Sequence, residues 1–158
     1  MKKLLSLYLI FAMNMVYSQN IESPSKEISV NFKLSVSGQP SYSVNYKNKP
    51  VIQESTLGIK LKGKPSLDAN FTIDNVKNSS FNESWIPVLG EQSTIVNHYN
   101  ELIISLIQKE TQIKMNLIFR VFDEGVAFRY DFPKQKNLNY FIISDEVSQF
   151  NLTDNHKV

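Results

Sequence analysis

The apolar residues of this chain recur at every second position, and this period constrains the fold more than any other feature of the sequence. From 28 to 36, apolar side chains alternate without a break with single polar residues. Successive side chains of a β-strand leave opposite faces of a sheet, so this pattern predicts a strand with one buried face. Alternation resumes at 42–46 after the turn cluster at 37–40, and the two runs together predict an antiparallel hairpin.

A second hairpin is predicted from 113 to 132. Two alternating runs flank Asp123, Glu124 and Gly125, and the glycine is expected to supply the positive φ of a tight loop. The segment 101–109 is apolar at odd and even positions alike, which predicts a strand covered on both faces.

Other segments carry weaker patterns. Short strands are predicted at 57–61, 71–73 and 140–143, whereas 76–82 is polar and poorly patterned. The stretch 85–100 is interpreted as an irregular crossing segment because it contains proline, glycine and two asparagines.

Many short strands separated by turn signals indicate an all-β fold, either a sandwich or a barrel. No window has a sustained helical period. A chain of 158 residues is about one domain, and it is too short for a (β/α)₈ barrel of roughly 250 residues. The absence of cysteine excludes disulfides, thiolate zinc sites and a cysteine nucleophile.

The first eighteen residues predict a cleaved secretory signal. Lys2 and Lys3 precede an apolar run at 4–16, and Ser18 ends a stretch that suits a signal peptidase. The run is shorter than the ~20 residues of a membrane-spanning helix, so no membrane span is expected in the mature chain, 19–158. The chain is therefore expected to be secreted or periplasmic, and the alternative is an uncleaved N-terminal anchor.

The formal charge does not favour an anionic partner. The whole chain has 17 Lys plus Arg against 15 Asp plus Glu, and the two excess lysines lie in the predicted signal. No basic cluster remains that could follow a phosphate backbone, so nucleic acid is not an expected partner.

Candidate chemical groups are few. The two histidines, His98 and His156, are far apart, and no zinc-protease or serine-hydrolase motif is present. Paired carboxylates could catalyse glycoside hydrolysis or bind Ca²⁺, but exposed acids on strand ends are the commoner alternative. Trp85 suits either a sugar-stacking platform or a core position.

Three stretches together resemble the N-terminal domain of glycoside hydrolase family 97. They are WIPVLGE at 85–91, NHYNEL at 97–102 and FRVFDEGVAFRY at 119–130, and 40–52 resembles the opening of that domain. The resemblance implies a galactose-mutarotase-like β-super-sandwich, an antiparallel β-sandwich, at the N-terminus of a secreted or periplasmic α-glucosidase or α-galactosidase. In that family a catalytic (β/α)₈ barrel carries the catalytic carboxylates, and calcium lies in the active site.

No barrel sequence follows before Val158, so the chain is expected to be a non-catalytic fragment whose sandwich is incomplete at the C-terminus. The resemblance implies two partners, an α-linked oligosaccharide or polysaccharide and the catalytic barrel of the parent enzyme. It implies one calcium ligand, Glu146, for which an ordinary exposed acid is the alternative. The candidate carbohydrate or interface residues are Trp85, Glu91, Asn97, His98, Tyr99, Asn100 and Glu101.

Two alternatives stay open. The asparagines could instead hold a loop through hydrogen bonds to nearby backbone. The whole chain could instead be a free-standing secreted carbohydrate-binding β-sandwich with no enzymatic parent. An enzyme acting through Glu83, Glu91 or Glu146 of this chain is a more distant hypothesis.

Overall fold

The structure is a computed structural model that describes residues 17–91 and 93–154. These residues form ten β-strands and one short 3-10 helix, with no α-helix among them. The strands are β1 Tyr17–Glu22, β2 Ile28–Leu34, β3 Pro40–Tyr46, β4 Lys49–Thr56, β5 Ile59–Leu61, β6 Phe71–Trp85, β7 Ile95–Gln108, β8 Lys114–Val121, β9 Val126–Asp131 and β10 Ile143–Glu146. The 3-10 helix spans Lys136–Leu138.

Two four-stranded antiparallel sheets form the body of the molecule. Their strand orders are β1-β2-β3-β4 and β6-β7-β8-β9, and β5 pairs with β10 in a third, two-stranded sheet. Side chains from both large sheets share one buried core, where the rings of Phe32 and Phe119 lie 6.4 Å apart. The predicted antiparallel β-sandwich is confirmed.

The first predicted hairpin is confirmed, with β2 and β3 paired from Ile28↔Tyr46 to Leu34↔Pro40. The strand ends at Leu34, however, and Val36 is 58% exposed rather than buried. Ser35 ends the alternation because its carbonyl and hydroxyl oxygens accept the amides of Gly38 and Gln39, which closes a turn.

The second hairpin is also confirmed, as β8 and β9, but its turn differs from the prediction. Gly125 does not have a positive φ. The turn spans residues 122–125 and is closed by the Phe122 amide, which donates to the Gly125 carbonyl over 2.8 Å. This longer turn does not require the left-handed backbone of a two-residue loop.

The strand predicted at 71–73 is confirmed as the start of a much longer strand, whereas the irregular segment predicted at 85–100 is wrong. β6 and β7 are 15 and 14 residues long, and they pair from Phe71↔Gln108 to Trp85↔Ile95. Residues 77–85 of β6 are exposed on both faces, so no apolar alternation marks them as a strand. Backbone hydrogen bonding carries the hairpin beyond the buried core.

Two further expectations are corrected. On β7, Leu102, Ile104 and Leu106 are fully buried, but Ile103 and Ile107 on the opposite face are only half-buried among the described residues. The last strand lies at 143–146 rather than 140–143, because its backbone pairs with β5.

Residues 147–152 continue from β10 along β4. The Gln53 amide donates to the Asn151 carbonyl over 2.8 Å, and the Gln149 amide donates to the Thr56 carbonyl over 2.9 Å. We call residues 143–152 the C-terminal strap. It closes the side of the sandwich formed by β4 and β5.

Most of the predicted signal segment, residues 1–16, lies outside the described residues. Tyr17 and Ser18 form the start of β1, where they pair with Leu34 and Lys33. No helix in the described part of the chain is long and apolar enough to cross a membrane.

Candidate functional site

The β6–β7 hairpin continues past the end of β8 and carries most of the predicted site. β8 ends at Val121, which pairs with Asn100, and beyond that pair only two strands remain. We call residues 81–99 the hairpin arm. Trp85 ends its first strand, and Glu91 is exposed in the connecting loop.

The predicted cluster at 97–101 is a strand rather than a loop, which separates its members. Asn97, Tyr99 and Glu101 lie on one face of β7, whereas His98 and Asn100 share the opposite face with the core leucines. The five side chains therefore do not form one binding surface.

Tyr99 is the centre of an aromatic and charged cluster on the outer face. Its ring is 6% exposed and stacks on Phe81 with centroids 5.3 Å apart. Phe122 packs against it at 5.1 Å, and the guanidinium of Arg120 lies 4.7 Å from its centroid. We call these residues, with Glu101, the Tyr99 cluster.

The Tyr99 cluster is held by charge as well as by packing. Arg120 Nε donates to Glu101 Oε2 over 2.7 Å, and the Glu101 side chain is 16% exposed. A charge-assisted hydrogen bond and a cation–π contact share one guanidinium here, and both hold the base of the hairpin arm to β8.

On the opposite face, Asn100 joins the arm to the first sheet. Its Nδ2 donates to the Glu22 carbonyl oxygen over 2.8 Å. Next to this bond lies an open depression of about 590 Å³ between β1 and the base of the arm, with a polar lining that includes Asn20, Glu22, Asn78 and Asn100. Amide and carboxylate groups that point into such a space can exchange hydrogen bonds with a polar ligand.

His98 lies near Asp123 in the β8–β9 turn. The Ser25 amide donates to Asp123 Oδ1 over 2.8 Å, and this bond is the main reason that the pKa of Asp123 is lowered. The charge of His98 makes a smaller contribution in the same direction.

Glu146 lines a groove of about 680 Å³ between β9 and β10. Its Oε1 accepts a hydrogen bond from Ser148 Oγ over 2.7 Å. The Tyr130 hydroxyl lies 2.7 Å from Ser148 Oγ and accepts the Gly58 amide over 2.9 Å. Because the serine proton is directed to Glu146, the tyrosine hydroxyl donates to the serine.

Burial raises the pKa of Tyr130, which extends to higher pH the range in which its hydroxyl can donate to Ser148. Ca²⁺ takes six to eight oxygen ligands, and Glu146 offers one carboxylate. Within residues 17–91 and 93–154 no group of three or more His, Asp or Glu side chains could hold a metal ion. The calcium expectation therefore needs ligands from elsewhere and stays a prediction.

Three residues of the Tyr99 cluster were not among the sequence candidates: Phe81, Arg120 and Phe122. Phe81 lies in a stretch without apolar alternation, and its partnership with Tyr99 depends on the β6–β7 register. The FRVF run at 119–122 was a family signal, but the sequence did not show which residue Arg120 faces.

The chain is similar to known proteins of one family. The model of the family described as Glycosyl-hydrolase 97 N-terminal matches residues 21–158. A glycoside hydrolase family 97 enzyme from Pseudoalteromonas sp. strain K8, solved in complex with acarbose and, as a variant, with panose, is 34% identical. The match covers 86% of this chain and 20% of that enzyme, with a TM-score of 0.81.

A β-arabinopyranosidase structure shares the fold, with 24% identity, a TM-score of 0.76, and coverage of 85% of this chain and 21% of that one. The chain thus spans about one fifth of the length of the solved enzymes it matches. The chain belongs to glycoside hydrolase family 97, and the part of that family which it matches is the N-terminal domain.

Proposed function

We propose that this chain serves as the non-catalytic N-terminal β-sandwich of a secreted family 97 glycoside hydrolase. In this role it supports a catalytic barrel and contributes contacts to an α-linked sugar. The observation that carries the proposal is the match of residues 21–158 to the N-terminal family model, together with the small fraction of each solved enzyme that the match covers.

The environment of the candidate acids supports a non-catalytic role. Glu101 is ion-paired with Arg120, and Glu91 and Glu146 are exposed. A general acid at neutral pH is normally sheltered from water in a pocket that raises its pKa. The two charged groups of the Tyr99 cluster, Glu101 and Arg120, are paired with each other, and this pair holds the arm to β8.

The polar depression beside Asn100 is the proposed place of carbohydrate contact. Asn20, Asn78 and Asn100 provide amide groups that can both donate and accept, and Glu22 provides a carboxylate acceptor. A neutral sugar presents hydroxyl groups that need such mixed partners, and the depression is open enough to admit one.

The calcium part of the proposal assigns one ligand, Glu146, to a site completed by the catalytic barrel. A single carboxylate binds Ca²⁺ weakly, so calorimetry should detect no calcium binding to the isolated chain at micromolar concentration. In an enzyme that carries this domain, Glu146→Gln should weaken calcium binding and Glu91→Gln should not. Equal affinity in both variants would remove Glu146 from the site.

The proposed function is tested with a chimera in which residues 21–158 replace the matching segment of the Pseudoalteromonas enzyme. The full 158-residue chain should release no nitrophenol from a nitrophenyl α-glucoside, whereas the chimera should. A chimera that folds but is inactive would refute the supporting role. Hydrolysis by the 158-residue chain alone would refute the non-catalytic assignment.

A free-standing carbohydrate-binding module is the second candidate, and the polar depression is the observation that favours it. That function requires the chain to bind sugar by itself. Titration with panose and acarbose separates the two, since the module alone should bind whereas a supporting domain should need the rest of the enzyme. Asn100→Ala should abolish binding if the depression is the site.

A further inference from the structure

The hairpin arm extends into solvent without a third strand. Five residue pairs, from Phe81↔Tyr99 to Trp85↔Ile95, lie beyond the last pair that β7 makes with β8. At about 3.3 Å per residue the paired part of the arm projects about 15 Å from the sheet. A two-stranded hairpin is at best marginally stable in water, so an arm of this length needs further contacts.

The end of the arm begins with a run of six uncharged, mostly apolar residues, and the exposed acid Glu91 follows them in the connecting loop. Residues 85–90, which we call the tip, read WIPVLG, and Ile86, Val88 and Leu89 are 80%, 98% and 91% exposed. Trp85 and Val96 beside them are 45% and 65% exposed. Contiguous exposed apolar surface of this kind marks an interaction site in soluble proteins.

Phe150 is also an exposed apolar residue, but part of its ring packs against other aromatic rings of the domain. Phe150 of the C-terminal strap is 61% exposed, yet its ring packs at 6.3 Å from Tyr42 and 5.9 Å from Phe128. Val88 and Leu89, in contrast, are almost fully exposed. Among the residues that the structure describes, Val88 and Leu89 of the tip are the most exposed large apolar side chains.

The base of the arm is fixed although its tip is uncovered. The Tyr99 cluster holds one face, and the bond from Asn100 to the Glu22 carbonyl holds the other. Ordering a binding segment in advance reduces the entropy lost on association. The base of the arm is therefore ordered before the tip meets a partner, as in a preorganised binding segment.

We propose that the tip of the hairpin arm docks into an apolar recess on the catalytic part of the same family 97 enzyme. The inference rests on the proposed function, because about four fifths of each matched enzyme lies outside the match and is available to cover the arm. The absence of charge from 85 to 90 favours an apolar protein surface over an anionic or strongly polar partner.

The test uses the chimera described above and the 158-residue chain, in two sets of variants. The tip variant is Ile86→Ser with Val88→Ser and Leu89→Ser. The matched control is Val36→Ser with Tyr140→Ser and Leu152→Ser, which also removes three exposed apolar side chains but leaves the arm intact. Hydrogen–deuterium exchange of the arm, thermal unfolding and α-glucosidase activity are measured for each.

In the unmodified chimera the amides of the tip should exchange at least tenfold more slowly than in the 158-residue chain. The tip variant should lose this tenfold protection, and its melting temperature should fall below that of the unmodified chimera, as expected for removing central apolar anchors of an interface. The control variant should keep both. In the 158-residue chain the tip variant should keep its circular dichroism spectrum, because the altered side chains are exposed.

An active chimera whose tip exchanges as fast as in the 158-residue chain would overturn the docking inference and leave the proposed function intact. Equal effects of the tip and control variants on hydrogen exchange would also overturn the docking inference. An inactive chimera would instead refute the proposed function. If sedimentation shows a dimer of the 158-residue chain that only the tip variant abolishes, the occupant is a second copy, and the inference is wrong.

Discussion

Tyr42 lies where the two large sheets and the C-terminal strap meet. Its ring contacts Phe119, Phe128 and Phe150, with centroids 6.0, 5.4 and 6.3 Å away. Its hydroxyl donates to the Gln149 carbonyl over 3.1 Å. Burial, with a further contribution from Tyr130, raises the pKa of Tyr42 to about 12.

This raised pKa predicts a loss of stability in alkali. An unfolded tyrosine ionises near pH 10, whereas folded Tyr42 keeps its proton until about pH 12. Its contribution to the free energy of unfolding is thus complete below pH 10 and is lost as pH rises from about 10 towards 12. Urea unfolding at pH 8 and pH 11 should show this fall.

Tyr42→Phe should make that fall smaller, since the ionisable group is removed. At pH 8 the same variant should lower the free energy of unfolding by about 1 kcal/mol through the lost hydrogen bond. Tyr140→Phe is the control, because Tyr140 is 76% exposed. An unchanged pH dependence in Tyr42→Phe would assign the effect to other groups.

Gly38 and Gly63 have similar backbone angles but different surroundings, so alanine substitutions at the two positions can be compared. Both have left-handed backbone, with φ of 73° and 68°. A Cβ at Gly38 would lie 2.3 Å from the Phe71 amide nitrogen, whereas one at Gly63 meets nothing within 4 Å. Gly63→Ala should cost about 1 kcal/mol for strained φ alone. Gly38→Ala should cost about 3 kcal/mol or more because it adds the overlap; equal denaturation midpoints would contradict this.

Gly125 and Gly38 show which backbone requirements could not be predicted from the sequence. The sequence predicted a left-handed residue at Gly125, from a tight hairpin loop, but the turn spans 122–125 and Gly125 does not have a positive φ. The requirement at Gly38 comes from Phe71, which is distant in the chain and packs on the turn only after the two sheets assemble. Local patterns do not contain such a contact.

At the scale of single elements, prediction succeeded where one face is buried. β2 has buried residues at every second position, and its pattern was legible in the sequence. The arm has no buried face from 82 to 85, so the same rule gave no strand there. The candidate site lies largely on this arm, and the Tyr99 cluster was therefore hidden until the register of β6 and β7 was known.

Trp85, the single tryptophan, reports on the arm. Because the arm lies outside the shared core, we expect it to open before the sandwich unfolds. In a urea titration, Trp85 fluorescence should change at lower urea concentration than far-ultraviolet circular dichroism. Coincident transitions would show that the arm and the core unfold as one unit.

Tyr99→Ala should widen the separation between the two transitions, since it removes the stacking with Phe81 and the contact with Arg120. Hydrogen exchange should accelerate in 81–99 and remain slow in β2 and β8. Val96→Ala, on the same strand but 65% exposed, is the control and should change neither measurement. Acceleration throughout the chain would instead show that Tyr99 stabilises the core.

At the scale of the whole molecule, one core serves both sheets. Phe119 of β8 is fully buried and contacts Phe32 and Tyr42 of the opposite sheet. Alternation alone predicted an all-β fold, either a sandwich or a barrel, because half-buried strands must hide their apolar faces. The resemblance to family 97 implied the sandwich.

This shared core predicts that the two sheets unfold together. Phe119→Ala should lower the free energy of unfolding by about 4 kcal/mol. Phe119→Leu, with a smaller change in volume, is the variant to use if the alanine form does not fold. Near- and far-ultraviolet circular dichroism should lose signal in one transition. Separate transitions for the two sheets would contradict a common core.

The C-terminal strap has a consequence for the order in which the chain can fold. Tyr42 and Gln149, which share a hydrogen bond, are 107 residues apart in sequence. At a synthesis rate of about 5–20 residues per second, Tyr42 emerges roughly 5 to 20 seconds before its partner. During that interval β4 and β5 lack the segment that closes them, so this side of the sandwich can be completed only after the strap has been made.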